Sequence, residues 1–401
     1  MNRGQVSMRI LALAPNSWHG QWVNRQQLFS RVSQRYTVLY SSGGWFAWDR
    51  GTADWRRGSW MGSIARYDNV WVDESPRFLM RIPKLRVWDE LVLRFQVSRW
   101  KRFLRACGTG PLVAYVFHPM FSPYVKLIGA DYLVYHAYDM YDHTPGWNDD
   151  LERHERELVG ASDMVIAASE QMAEGLRGKV AREVRVLPNG ADVAAFEHAR
   201  DTVAPLPQDL GAIPSPRLGY VGSLHPQVDY GLIADLARRR PDWNFVFVGQ
   251  VISSPDAQAE AERADYKDLP NVHFLGSKRI DEVPLYVANM DVNLMCYRLS
   301  DHMWIKAIYP LKLHEYLAVG RPVVSADLPS VRPFGEVVRI ATDADDWEAA
   351  IEQALLKGGR GTPEQRRAVA ENNSWDKRVQ TLDLWLNEMT NRSGRVLTVG
   401  T

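Results

Sequence analysis

Tyr309-Pro-Leu-Lys-Leu-His-Glu-Tyr-Leu-Ala-Val-Gly-Arg-Pro-Val-Val-Ser325 decides how this chain is read. The stretch spells a short helix between a loop and a buried strand. Pro310 suits the first helical position, and Gly320 suits the left-handed residue just past the end. Pro-Val-Val-Ser then opens a strand. Lys312 and Glu315 are three apart and share one face. Leu313, Tyr316 and Leu317 can face a core. A lysine in the first turn opposes the helix dipole, so it makes more sense beside a bound anion. Glu315, one turn on, can accept hydrogen bonds from a sugar diol. Phosphate and ribose side by side spell a nucleotide. A plain surface Lys–Glu pair is the competing reading.

Working outward, short β-rich runs alternate with helical stretches. Met8–Ala14, Tyr36–Tyr40, Leu112–Phe117, Tyr132–Tyr138 and Met164–Ala168 read as strands. Arg25–Ser33 and Asp149–Gly160 read as helices between them. A stretch with Pro205, Pro207, Pro214 and Pro216 follows, and then the alternation resumes from Leu218. Such alternation predicts α/β architecture with parallel sheets covered on both faces. The expected plan is two Rossmann-like, doubly wound domains, residues 1–205 and 206–374, facing a cleft. A last helix from Trp375 then crosses back to the first domain. Ligands of such sheets bind at the carboxyl ends of the strands.

Composition limits the function classes. The 401 residues suit two domains. The formal net charge is zero, which argues against nucleic acid as a partner. Residues 1–200 nevertheless hold 26 Lys+Arg against 21 Asp+Glu, and the remainder 22 against 27. Cys107 and Cys296 stand far apart, in no metal-ligand spacing, as in a reducing compartment. No run approaches the roughly 20 apolar residues of a membrane span, and the start reads as a strand rather than a signal peptide.

Three segments carry a family resemblance. The first is Ser162-Asp-Met-Val-Ile-Ala-Ala-Ser169 leading to Leu187-Pro-Asn-Gly-Ala-Asp192. The second is Gly219-Tyr-Val-Gly-Ser223 with Phe247-Val-Gly249 and Phe274-Leu-Gly276. The third is the opening helix with Gly320-Arg-Pro-Val-Val324 behind it. Together, over roughly residues 160–325, they resemble the GT-B sugar-nucleotide glycosyltransferases that build bacterial surface polysaccharides. Asn373-Ser-Trp375 is similar to the start of that family's crossover helix. The resemblance implies a nucleotide diphosphate sugar, a uridine one, bound by the C-terminal domain, with the acceptor on the N-terminal domain. It places Glu315 on the ribose and Lys312 on the diphosphate, with Gly222, Ser223, Tyr309 and Leu313 around them. Two departures stand out. Ala307 occupies the place of a second glutamate carried by many retaining members. Ser223 occupies the place of a phosphate-binding arginine, so Arg298 or Lys306 is the expected substitute.

Transfer needs a stabilised leaving diphosphate and a base for the acceptor hydroxyl. Lys312 supplies the first without a metal, so no metal site and no cofactor are expected. Asp343-Ala-Asp345 is the only tight acidic pair of metal-binding form, and it reads better as a helix cap. Asp139, at the end of the strand Tyr132–Tyr138, is the expected base. Asp142, His136 and His143 are neighbours that can share the role, and His19 and His118 are further candidates. Trp18 and Trp22 suit either sugar stacking or a core aromatic cluster.

Residues 77–105 carry nine Lys+Arg against Asp89 and Glu90, interleaved with Phe78, Trp88, Phe95, Trp100 and other apolar residues. A basic amphipathic helix of this kind suits an anionic bilayer. The expected protein is therefore cytoplasmic, peripheral to the inner face of the membrane, with a glycan or polyprenyl-diphosphate-linked acceptor. A sugar-nucleotide epimerase, or a non-catalytic sugar-nucleotide-binding subunit of a polysaccharide assembly, is the alternative.

Overall fold

The computed structural model describes residues 7–20, 22–143, 146–180, 182–201, 206–252, 269–299 and 306–392. The chain forms two units. One comprises Met1–Pro188 with Arg378–Thr401, and the other Asn189–Lys377. The chain thus passes into the second unit before the proline-rich stretch, not within it as expected at 205. The reason is local packing: the helix Val193–Asp201 joins the second unit's core through Val193 and Phe196.

The first unit is an eight-stranded sheet in the order β3-β4-β2-β1-β5-β6-β7-β8. Its strands are β1 (Arg9–Leu13), β2 (Thr37–Ser41), β3 (Ser63–Tyr67), β4 (Val70–Glu74), β5 (Leu112–Val116), β6 (Tyr132–Ala137), β7 (Met164–Ala167) and β8 (Arg185–Val186). All pair in parallel except β3 with β4. Leu13 registers with Val116, and Val116 with Tyr135, so the loops after β1, β5 and β6 leave one common edge. The central strands are apolar almost without interruption, as strands covered on both faces must be. The β3–β4 hairpin was not expected. It turns at Asp68-Asn69, with Asp68 at φ 51°, the left-handed conformation that Asp and Asn tolerate best.

Helix α1 (Asn24–Val32) and the long α2 (Arg86–Ala106) belong to this unit. Much of α2 is covered by its own unit. Val92, Leu93, Gln96, Val97, Trp100 and Leu104 turn inward. The buried Asp73 fastens α2 to β4. Its carboxylate accepts from Gln96 Nε2 at 2.6 Å and Trp100 Nε1 at 2.8 Å, and pairs with Arg99 at 2.9 Å. Burial raises the Asp73 pKa, and Arg99 and these donors oppose the rise. The exposed apolar residues gather toward the start of the helix, among the exposed Arg86, Glu90 and Arg94. Val87, Trp88, Leu91 and Phe95 lie toward its start, and Arg102 and Arg105 toward its end.

The second unit is a six-stranded parallel sheet in the order β11-β10-β9-β12-β13-β14. Its strands are β9 (Arg217–Val221), β10 (Asn244–Val248), β11 (Val272–Phe274), β12 (Val292–Met295), β13 (Val323–Ala326) and β14 (Arg339–Ala341). Helix α3 (Lys312–Ala318) leads into β13, and α4 (Ala344–Lys357) follows β14. Asp343 caps α4 by accepting from Asp346 N at 3.0 Å, and Asp345 pairs with Arg239 at 2.6 Å. The acidic pair is therefore a cap and an ion pair. Helix α5 (Trp375–Arg392) returns to the first unit, as expected. There Val379, Leu382, Leu386 and Met389 pack into the core with Ile10, Leu28 and Val32. Asp383 is held by Arg35 and Tyr36, and Glu388 by Arg185 at 3.0 Å.

The entry to and exit from the second unit are paired side by side. Ala191 N donates to Asn373 O at 3.2 Å, and Trp375 N to Ala191 O at 3.0 Å. Gly190 lies against this crossing. A side-chain carbon there would meet Trp375 N at 2.8 Å and Asn373 O at 2.9 Å. These are backbone atoms of a bridge and cannot step aside. Gly190→Ala should therefore cost about 1–3 kcal/mol in urea unfolding, as overpacking does. An unchanged midpoint would show that the crossing yields freely.

Candidate functional site

The second unit's site is assembled at the carboxyl edge of its sheet. Tyr316 of α3 is fully buried, and its hydroxyl accepts from Val221 N at 2.7 Å and donates to Val221 O at 3.2 Å. That two-way bond pins α3 to the end of β9. It sets Lys312, one turn earlier, above Gly222. The helix begins at Lys312 with Leu311 as its cap, two residues later than Pro310 would have started it. Gly320, at φ 74°, is the expected left-handed residue beyond the end.

Gly222 has a positive φ of 139°, and a side-chain carbon there would lie 3.1 Å from both Cε and Nζ of Lys312. Glycine thus makes room for the lysine. Gly249 in turn lies under Gly222, because a carbon on it would come 2.0 Å from Gly222 O.

Lys312 is 8% exposed. Its ammonium lies 3.6 Å from the Tyr220 ring centroid and 5.2 Å from that of Tyr297. It has no carboxylate within ion-pair distance among the described residues. Burial lowers its pKa to about 7, against smaller upward pulls from Cys296 and Glu315. Two ring faces are the main compensation for a desolvated cation. Glu315 is half-buried on the same helix, and burial raises its pKa to about 7, with Lys312 opposing and Asp192 assisting. This is a poised cation and a poised acid, one helical turn apart.

The other expected donor-site residues divide. Tyr309 lies close by; its hydroxyl shares a 2.8 Å hydrogen bond with His314 Nε2, and its carbonyl accepts from Asn189 Nδ2 at 2.7 Å. Ser223 O accepts from Tyr220 OH at 3.3 Å, tying the loop after β9 to the ring under Lys312. Leu313 is fully buried in the core, so its side chain offers a ligand nothing. Arg298 N donates to Gln227 O at 2.7 Å, beside the ring of Tyr297 in sequence. Lys306 is exposed, next to the fully buried Ala307.

In the first unit, Asp139 follows β6 and His118 follows β5, at one sheet edge. The Asp139 side chain meets solvent and accepts from Met140 N at 3.0 Å. The surrounding protein still desolvates the carboxyl enough to raise its pKa, while Met140 N–H and Arg25 hold it back. His118 Nδ1 accepts from Met120 N at 3.1 Å, and burial lowers its pKa to about 4, with Arg25 adding to the fall. It is neutral near pH 7 and already holds one acceptor bond. His136 is fully buried, which removes it as a base open to substrate. His19 is exposed after β1, 3.8 Å from Glu74 and edge-on to Tyr67. Asp142 is paired with Lys179 at 3.1 Å. Trp18 is buried edge-on against Trp22 and Tyr40, so it belongs to a core aromatic cluster.

One residue here carries no sequence signal. Arg25 lies in the first turn of α1 and is 8% exposed. It donates to Asn16 Oδ1 at 2.7 Å and Tyr141 OH at 3.4 Å, and stands 5.5 Å from the ring centroids of Phe117 and Tyr138. Among the described residues, no group of three or more His, Cys, Asp or Glu stands where it could hold a metal ion.

The Lys312 geometry fixes a pH dependence. Between its folded value of about 7 and the ordinary 10.5, the unfolded chain binds a proton that the folded chain does not. Stability from this group therefore rises with pH across that window. Glu315 acts in the opposite sense between 4.5 and about 7, where the folded chain keeps its proton and stability falls as pH rises. Lys312→Met should be more stable than the wild type at pH 7, by a margin that shrinks toward pH 10. A margin independent of pH in urea unfolding would contradict the placement of the ammonium.

Residues 215–357 match the family described as Glycosyl transferases group 1. The chain is 29% identical over 231 residues to TuaH of Bacillus subtilis (strain 168), which bears the name of a teichuronic acid biosynthesis glycosyltransferase. That match spans 55% of this chain and 56% of TuaH. Among solved structures, Anabaena Alr3699/HepE in complex with UDP and glucose superposes with a TM-score of 0.65 at 15% identity, covering 96% of this chain and all of that one. The α,α-trehalose 6-phosphate synthase of Burkholderia multivorans gives 0.66 at 13% identity, covering 99% and 100%. At these identities the likeness is one of fold. The chain therefore has the GT-B fold, and residues 215–357 of its second unit match the model of the glycosyl transferases group 1.

Proposed function

We propose that this chain transfers a sugar from a uridine diphosphate sugar to a glycan or polyprenyl-diphosphate-linked acceptor in surface polysaccharide synthesis. The observation that carries the reading is Lys312, a nearly buried cation over two tyrosine rings with Glu315 one turn along. The name of TuaH, and the UDP in the HepE complex, are consistent with it.

In this reading the diphosphate supplies the counter-charge that the Lys312 site lacks. A desolvated ammonium interacts more strongly with an anion than a surface lysine does, and it gains as charge grows on the leaving group. It does there what a metal ion does in metal-dependent transfer. Glu315 accepts from the ribose hydroxyls, and Gly222 lets the phosphates approach the backbone. Asp139 takes the proton of the acceptor hydroxyl, its raised pKa matching that task. Calorimetric titration with UDP tests the donor half. Glu315→Ala should weaken UDP binding tenfold or more, the scale of hydrogen bonds to a charged group. Asp139→Asn should leave UDP binding intact while stopping transfer. Unchanged UDP affinity in the first variant removes the ribose assignment.

We further propose that the first unit rests on an anionic bilayer. Leu85, Val87, Leu91 and Phe95 are exposed at the start of α2, with Arg102 and Arg105 exposed toward its end. An apolar patch beside cations favours the headgroup boundary. No helix among the described residues is long and apolar enough to cross a membrane. Paired Leu91→Asp and Phe95→Asp substitutions should reduce co-sedimentation with phosphatidylglycerol vesicles. Equal partitioning of variant and wild type would count against the surface.

A further inference from the structure

The first unit contains a second cation with an unusual setting. Arg25 is as buried as Lys312 and pairs with no carboxylate among the described residues. Among the described residues its two hydrogen bonds go to neutral oxygens, and its Nε is buried without a partner. Two neighbours share that condition. His136 Nε2 and Tyr138 OH are buried and unbonded, and their rings stack at 4.2 Å. Burial holds His136 well below its usual pKa, so it is neutral, and Arg25 is the charge of this nest. Asp139, the acid nearest in sequence to these rings, meets solvent and bonds Met140 N instead.

A fold with only stability to serve has little use for this arrangement. Taking a guanidinium out of water costs several kcal/mol in real proteins, and neutral oxygens and ring faces return only part of it. Each buried polar atom left unbonded adds a further desolvation cost. A cation kept at such cost at the carboxyl edge of a parallel sheet stands where such sheets bind ligands. An oxyanion matches it best, because guanidinium presents a planar fork to phosphate and carboxylate alike.

We infer that Arg25 is the anchor of an oxyanion subsite in the first unit, which receives a phosphate or carboxylate group of the acceptor. The inference rests on reading this unit as the acceptor-binding one. It makes Arg25 a specificity residue: acceptors carrying such an anion are favoured over neutral ones.

The test uses the full chain saturated with UDP, so that the donor site is filled. Thermal unfolding is followed with inorganic phosphate, with glucuronate and with glucose, at constant ionic strength set by sodium chloride. Phosphate or glucuronate should raise the midpoint of the wild type while glucose does not, and whichever of the two acts identifies the anion. Arg25→Gln should lose the response, with affinity down tenfold or more, and Arg25→Lys should keep part of it. Arg25→Gln should also unfold no lower than the wild type without added anion, since it removes an uncompensated buried charge. A wild type that ignores both anions overturns the proposal, as does an equal response in Arg25→Gln. Should Arg25→Gln fail to fold, the wild-type response and that of Arg25→Lys still decide. UDP affinity, read separately, tells failure of this subsite from failure of the donor assignment.

Discussion

The Lys312 ammonium has two tyrosine faces beneath it and no acid within ion-pair distance among the described residues, and much of the second unit serves that placement. Tyr316 ties α3 to the end of β9 through both backbone groups of Val221. Gly222 clears the volume the lysine stem occupies, and Gly249 lets Gly222 lie there. Tyr220, on the same strand, gives the ring on which the charge rests. Each of these is a constraint on backbone or volume, and none has a stability reason as direct as its reason in holding the cation. A carboxylate beside Lys312 would have made the unit more stable and left no charge for a ligand.

The first unit repeats the logic with different parts. Its parallel register brings the ends of β1, β5 and β6 to one edge, and there Arg25, His118 and Asp139 are gathered. Burial takes His118 down to about 4 and raises Asp139; Arg25 adds to the first shift and opposes the second. The result is a neutral imidazole and a carboxylate of raised basicity around one cation. Two units built on the same sheet type thus each present, at the carboxyl edge of the strands, a cation with no ion pair among the described residues.

The sequence showed the sheets well because parallel strands are buried on both faces and read as apolar runs. The edges of β1, β2, β5, β6 and β7 came out within a residue or so. It was less legible where solvent or tertiary contact decides. The β3–β4 hairpin has one exposed strand and no long apolar run, and its signal was the Asp68-Asn69 turn. The expected interleaving of charge and aromatics over 77–105 resolved into an inward face and an outward one, because Asp73 demands Gln96, Arg99 and Trp100 on its own side. Spacing put Lys312 and Glu315 on one face and let Leu313 face a core, yet could not choose between sugar stacking and a core aromatic cluster for Trp18. Arg25 was invisible, since nothing in Val-Asn-Arg-Gln-Gln says that a first-turn arginine is covered by Phe117 and Tyr138, which lie far along the chain.

The central claim is that the Lys312 charge is completed by the donor's diphosphate. Its most direct measurement is UDP titration calorimetry at pH 8 in Hepes and in Tris, whose ionisation enthalpies differ. With a pKa of about 7 in the free protein, Lys312 is mostly neutral at pH 8 and must gain a proton to meet the diphosphate. The account predicts uptake of roughly one proton per UDP bound, seen as different apparent enthalpies in the two buffers. Equal enthalpies, or release of a proton, would contradict it.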